Sequence, residues 1–204
     1  MGNCAYDHLF DNCAMKHLVY KLQPHEYGRY RKHLLALDDA SRYTRFAYSI
    51  TDEMLNRLCD GIEANPRQHK IFVIENDSLE IVGVGHIALE GETELAFSVL
   101  KAYQNMGLGS ALMARCIEWL QNRSIKNTHM TCLATNTAIR KLASKHGVLV
   151  NDHGEVLADI TIPNPNPASV IHEVMDSSLA RFDHYTKVQR NFVKTIAFPL
   201  HFAK

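Results

Sequence analysis

Apolar and polar positions change their period several times along the chain, and each change predicts an element. Residues 15–22, MKHLVYKL, alternate as a strand does. Pro24 then starts a predicted helix, HEYGRYRKHLLAL, and a second helical region covers residues 38–62. Within it Thr51-Asp52-Glu53-Met54 has the form of a helix start, and Asn65-Pro66 is a stop. The period then falls to two. Residues 70–76, 79–89 and 93–100 are β-branched and apolar, joined by Asn76-Asp77-Ser78 and Glu90-Gly91-Glu92, which predicts an antiparallel meander. Gly83 and Gly85 inside the second strand predict a bulge.

Helical spacing returns after Gly109, where Leu112, Met113, Cys116, Ile117, Trp119 and Leu120 form one wide apolar face. Residues 129–134 read as a strand. The segment NTAIRKLASKHG reads as a short helix, with Asn136 or Thr135 as its cap and Gly147 as its terminator. GVLV, the turn NDHG and EVLADITI predict a hairpin. Residues 163–167, PNPNP, are a stiff breaker. Beyond them Ile171, Met175, Leu179, Phe182, Tyr185, Phe192 and Ile196 keep helical spacing through an amphipathic tail. Three regions are expected: an arm over 1–14, a domain over 15–162 and a helical tail over 163–204.

Composition narrows the function. Lys plus Arg is 22 and Asp plus Glu is 22, so the formal net charge is zero and no basic stripe points to nucleic acid. Five cysteines with no C-x-x-C pair argue against a disulfide framework and for a reducing compartment, the cytoplasm. Asp7 and Asp11 break any early apolar run, so no signal peptide is expected, and no stretch has the ~18 apolar residues of a membrane span. The opening Met-Gly-Asn-Cys lacks the Ser or Thr at position 6 that myristoylation wants, because Tyr6 stands there. Twelve histidines include no H-E-x-x-H, and scattered packed or surface histidines explain them without a metal.

The turn between the third meander strand and the long helix holds the candidate chemistry. Gln104-Asn105-Met106-Gly107-Leu108-Gly109 fits neither the P-loop nor the dinucleotide fingerprint, whose third glycine is replaced by Leu112. The physics of such loops still applies. Free amides of a first helical turn, backed by the helix dipole, suit a pyrophosphate, and glycines let it approach.

These residues resemble the [QR]-x-x-G-x-[GA] signature of the GNAT acetyltransferase superfamily. A looser second motif follows in Asn136, Ala138, Leu142 and Gly147, with the alanine one place early. The likeness runs in order over residues 15–162. Within the superfamily, LDDASRYTRFAYSITDEMLNRL with ETELAFSVL resembles the acetyltransferase domain of bacterial Pat-type protein-lysine acetyltransferases. The resemblance implies an α/β (α+β) fold. Its central mixed, mostly antiparallel sheet would have six to seven strands flanked by about four helices, with the tail appended. It also implies acetyl-CoA as acyl donor and an acceptor with a primary amine, a protein lysine or a small amine.

The resemblance further assigns roles. Glu94 stands where Pat-type domains carry a general base. By spacing alone Glu94 is a solvated strand-end residue; its family position makes it the base. Strand alternation puts Glu94, Ala96 and Ser98 on one face. Val99 or Leu100 would offer a backbone amide to the thioester oxygen, and the pantetheine arm would lie along Ser98–Leu100. Asn105, Met106, Gly107, Leu108, Gly109 and Ser110 would hold the pyrophosphate. Gln104 either braces the loop or touches a phosphate, and Asn136 either caps its helix or meets the pantetheine. Ala143 stands where many members place a tyrosine acid, and Tyr103 reads as packing. Cys132 reads as a buried structural thiol. Arg42, Tyr43 and Arg45 either line an acceptor site or are ordinary helix-surface residues. The tail either packs on its own domain, joins a second subunit as a homodimer, or lies on a membrane surface. A binding module that holds acyl-CoA without turnover is the rival to an enzyme.

Overall fold

A computed structural model of the chain describes residues 17–152 and 154–197. The arm over 1–14 and the myristoylation question lie outside these residues. Seven strands form one sheet in the order β1-β2-β3-β4-β5-β7-β6. They are β1 (Tyr20–Lys21), β2 (His69–Glu75), β3 (Ile81–Ala88), β4 (Glu94–Val99), β5 (Asn127–Leu133), β6 (Gly147–Asp152) and β7 (Glu155–Thr161). Every neighbouring pair is antiparallel except β4 and β5. The meander and the closing hairpin are as the alternation predicts. The predicted first strand is shorter, since pairing with β2 covers Tyr20 and Lys21.

Six α-helices flank the sheet: α1 (Tyr27–Leu35), α2 (Asp39–Phe46), α3 (Asp52–Ala64), α4 (Leu108–Gln121), α5 (Thr137–Ala143) and α6 (Pro167–Ala197). The helical region over 38–62 holds two helices, the second starting at the expected Thr51 cap. Ala47 takes a left-handed conformation (φ 62°) and ends α2, and the Thr51 hydroxyl caps α3 by accepting from the Met54 amide at 3.3 Å. Asp38 caps α2 in the same way, through the Ser41 amide at 2.7 Å. One face of the sheet packs on α1 and α3 through Tyr30, Leu34, Leu55, Ile71 and Val73. The other packs on α4 and α5 through Phe72, Leu95, Phe97, Leu112 and Cys116.

Two glycine expectations are corrected. The register shift in β3 leaves Val82 as the extra residue beside Gly83, whereas Gly85 keeps regular pairing with Phe72 and Phe97. Gly85 serves close packing instead: a Cβ there would sit 2.9 Å from Cys116 Sγ on α4 and 3.1 Å from the Phe97 ring. Gly147 does not terminate α5, whose C-cap is Ser144. It opens β6, where a Cβ would lie 2.1 Å from the Asp159 carbonyl oxygen of β7.

Candidate active site

The one parallel pair among the described strands makes the cleft. β4 and β5 register at Glu94 and His129, with the His129 amide donating to the Thr93 carbonyl at 2.9 Å. Beyond that point the strands diverge. Ala96–Val99 line one wall of the gap, Met130–Cys132 the other, and the first turn of α4 with the start of α5 closes its end, around a cleft of about 520 Å³. A crevice at a switch between strand directions is where open sheets bind ligands.

The loop from Val99 to α4 is built to present bare backbone. Asn105 and Gly107 both have positive φ, 63° and 83°, which asparagine tolerates and glycine adopts without strain. Gly107 occupies the N-cap position with no side chain to cover the helix end. The amides of Leu108, Gly109 and Ser110 have no carbonyl four residues back within the helix. All three residues line the cleft, as do Gln104, Asn105 and Gly107. A Cβ at Gly109 would make only ordinary contact with Leu142, at 3.6 Å, so internal packing does not require glycine there. Bare backbone at 107 and 109 keeps the amides within reach of a phosphate oxygen. A pyrophosphate fits this chemistry.

Neighbouring side chains hold the loop. The Gln104 side-chain amide donates to the Val99 carbonyl at 3.1 Å and to Ser41 Oγ at 3.3 Å, so Gln104 braces it. His17 donates to the Met106 carbonyl at 2.8 Å. Met106 itself is not part of the cleft lining. Asn136 caps α5 by accepting from the Ile139 amide at 3.2 Å and also lines the cleft.

Backbone direction divides the two amides expected to face a thioester. Alternate residues of a strand turn their N–H and C=O to opposite sides. The Thr93 carbonyl points to β5, while the Leu100 amide donates to Val82 of β3 at 2.9 Å. Leu100 is therefore engaged within the sheet and does not line the cleft, which corrects its expected place. Val99, one residue earlier, turns its amide toward the gap.

Ser98 is held by a histidine that spacing alone gave no reason to pair with it. His33, buried in α1, contacts the Ile81 carbonyl through Nδ1 at 2.8 Å and Ser98 Oγ through Nε2 at 2.9 Å. Burial lowers its pKa to about 4, so it is neutral near pH 7. A carbonyl only accepts, so Nδ1 carries the proton and Nε2 accepts from the Ser98 hydroxyl. Ser98 Oγ thus keeps its acceptor capacity for a donor in the cleft. On the same face, His86 of β3 contacts His69 at 3.1 Å, and His69 lies 3.5 Å from Glu90.

The remaining candidates divide. Glu94 is half-buried at the start of β4, on the face of Ala96 and Ser98; the cleft lining ends at Ala96. Arg45 lines the cleft, whereas Arg42 is spent on the Leu35 and Leu37 carbonyls and on Asp52. Tyr43 is exposed and outside the lining. Tyr103 packs against the core, with its hydroxyl accepting from Asn76 at 3.3 Å. Cys132 is a buried free thiol whose pKa burial raises. Ala143 is fully buried and contributes no acid.

The acetyltransferase (GNAT) family pattern matches residues 33–148, more than half of the chain and the whole of the cleft's β4, loop and α5. The chain belongs to the GNAT family. A curated relative, acetyltransferase PA5475 of Pseudomonas aeruginosa, is 26% identical over 136 residues, which is 64% of this chain and 73% of that protein. The GNAT domain of S. lividans PAT has the same fold, with a TM-score of 0.57 at 18% identity over 70% of this chain and 89% of that one. RimL, a ribosomal L7/L12 alpha-N-protein acetyltransferase solved with coenzyme A, matches with a TM-score of 0.55 at 16% identity, covering 71% and 93%. As a GNAT protein the chain is an acyl-CoA-dependent acetyltransferase that uses acetyl-CoA and an amine. Among the described residues, no helix is long and apolar enough to cross a membrane.

Proposed function

We propose that this GNAT protein acetylates a lysine side chain of a protein in the cytoplasm, by direct attack of the amine with Glu94 as general base. The observation that carries the reading is the open first turn of α4 at the end of the β4–β5 gap, which aims a bound donor along β4. The amides of residues 107–110 would hold the pyrophosphate, and the β4 edge at Ser98 and Val99 would hold the pantetheine arm. Acetyl-CoA supplies an acetyl carbon activated by its thioester.

An alkylammonium with a pKa near ~10.4 must lose its proton before attack, at a cost of roughly 4 kcal/mol near neutral pH. Glu94 lies on the acceptor side of β4, two residues along the face from Ala96, about 7 Å. It takes the proton through an intervening water. As the new C–N bond forms, the Val99 amide donates to the oxygen that gains charge. The C–S bond then breaks, the thiolate leaves, and the second proton of the new C–N nitrogen passes through water to that thiolate. Glu90 and Glu92, in the turn before β4 and outside the cleft lining, would add negative charge on the Glu94 side, which suits a cationic acceptor.

The test is thiol release from acetyl-CoA with a panel of peptide and small amines, comparing wild type with Glu94→Gln. Turnover on lysine peptides should fall about a hundredfold or more in the variant. Equal turnover removes Glu94 from the mechanism. Activity confined to polyamines moves the acceptor to that class.

A further inference from the structure

Helix α6 is attached the wrong way round for a helix that ends its life on a monomer's surface. Its docked side is largely polar. Glu173 accepts from Asn122 at 2.7 Å and Arg123 at 3.1 Å, and Ser177 accepts from Arg115 at 2.5 Å. His184 meets Glu75 at 2.8 Å and stacks on Tyr20 with ring centroids 4.4 Å apart, and Arg190 pairs with Asp77 at 2.8 Å. The outward side is apolar. Phe182, Tyr185 and Phe192 are 73%, 60% and 65% exposed, and Ile171, Met175, Leu179, Val193 and Ile196 are each more than half exposed on the same side. A surface helix of a monomer shows the reverse arrangement.

The size of the stripe says how large its cover must be. The three aromatic rings alone present roughly 400 Å², already the scale of the largest apolar patch on a typical monomer. With the aliphatic side chains the stripe approaches the ~800 Å² that one partner contributes to a standard interface. It also runs the length of a 31-residue helix, about 46 Å.

The pattern says what the cover is. Phe182 is the midpoint of the described part of α6 and its most exposed apolar side chain. In an antiparallel pair of identical helices related by a twofold axis at Phe182, residues equally far from the midpoint lie level with each other. Leu179 then lies level with the partner's Tyr185, and Ile171 with the partner's Val193. Ser178 lies level with the partner's Thr186, and three layers are mixed: Met175 against the partner's Gln189, Phe192 against the partner's His172 and Val174 against the partner's Arg190. The layers nearest the axis pair apolar with apolar and hydroxyl with hydroxyl, as a self-complementary contact allows. We propose that the outward face of α6 pairs antiparallel with α6 of a second copy of this chain, centred on Phe182, to make a homodimer.

The full chain is to be weighed by light scattering across a wide concentration range, wild type beside Phe182→Glu. Wild type should give twice 23.1 kDa. Phe182→Glu places two carboxylates on the axis and should raise the dissociation constant at least about a hundredfold. Circular dichroism checks its fold, and Ile171→Glu repeats the test away from the axis. Phe182→Cys fixes the register: mild oxidation should link two copies through residue 182, beyond any linkage in wild type. A wild type that stays monomeric, a dimer indifferent to both glutamates, or a Phe182→Cys dimer that does not link would each overturn the pairing. So would a monomer that cosediments with anionic phospholipid vesicles, which would make the stripe a lipid-facing surface.

Discussion

The two longest helices of the molecule, α4 and α6, are both amphipathic by sequence and meet the domain through opposite faces. α4 buries its apolar face: Leu112, Met113, Cys116 and Leu120 are fully buried against the sheet. It comes so near that Gly85 cannot carry a side chain without moving Cys116. α6 buries its polar face, and among its described side chains Ala180 is the one buried apolar residue. The contrast teaches that amphipathicity predicts a helix and the existence of a cover, but does not say which face the chain's own domain takes. α4 completes a core and positions the loop at the cleft. α6 is held by pairs and stacking, and keeps its hydrophobic surface for another body.

The sharpest way to break the contrast is the same substitution in both helices. Leu112→Ala should cost about 3–5 kcal/mol in denaturant unfolding, because a fully buried leucine leaves a cavity between α4 and β3. Leu179→Ala, half exposed on α6, should change the unfolding of dilute protein by no more than about 0.5 kcal/mol. Comparable losses would mean that α6 is part of the same core.

A smaller effect tests whether the body's stability is set by what its sheet buries. His33 faces the Ile81 carbonyl of β3 and Ser98 of β4, with the Arg45 cation of α2 also opposing its protonation. Its pKa drops from 6.5 to about 4 on folding. Between those values the unfolded chain binds a proton that the native state refuses, so stability is complete above pH 6.5 and falls as pH drops toward 4. The loss from this one group is up to about 3 kcal/mol. Burial lowers His86 and His69 as well, in the same direction. Urea midpoints measured from pH 7 to pH 4 should fall, and His33→Gln should flatten the fall. A pH-independent midpoint over that range would remove the neutral buried pair.

Local patterns made much of this legible. The meander followed from alternation, α4 from its spacing, and the position of the glycine loop from Gly107 and Gly109 at a strand-to-helix turn. What stayed hidden depends on contacts between distant residues. His33 and Ser98 are 65 positions apart, and nothing in either neighbourhood marks them as partners. Gly85 and Gly147 signalled special backbone, but only the packing shows that Cys116 in one case and the Asp159 carbonyl in the other exclude a side chain. The splay of β4 from β5 is a property of the sheet and not of either strand. The orientation of α6 was hidden for a related reason. Its polar partners, Glu75, Asp77, Arg115, Asn122 and Arg123, are scattered over four elements and turns, and they converge only when the sheet is folded.

The smallest expected effect lies in one of the contacts that join the two helices. Ser177 Oγ of α6 accepts from Arg115 of α4 at 2.5 Å, and the Arg115 guanidinium is also held by Glu118 at 2.7 Å and lies 4.0 Å from Glu173 of α6. Ser177→Ala removes one tether while leaving that ion pair, and should weaken docking of α6 by about 1 kcal/mol. Hydrogen exchange reads this locally. Amides of α6 near residue 177 should exchange roughly fivefold faster, while those of α4, locked by its buried face, should not change. Equal acceleration in both helices would show that they open as one unit, and the difference between a core helix and a docked helix would then be one of sequence pattern and not of stability.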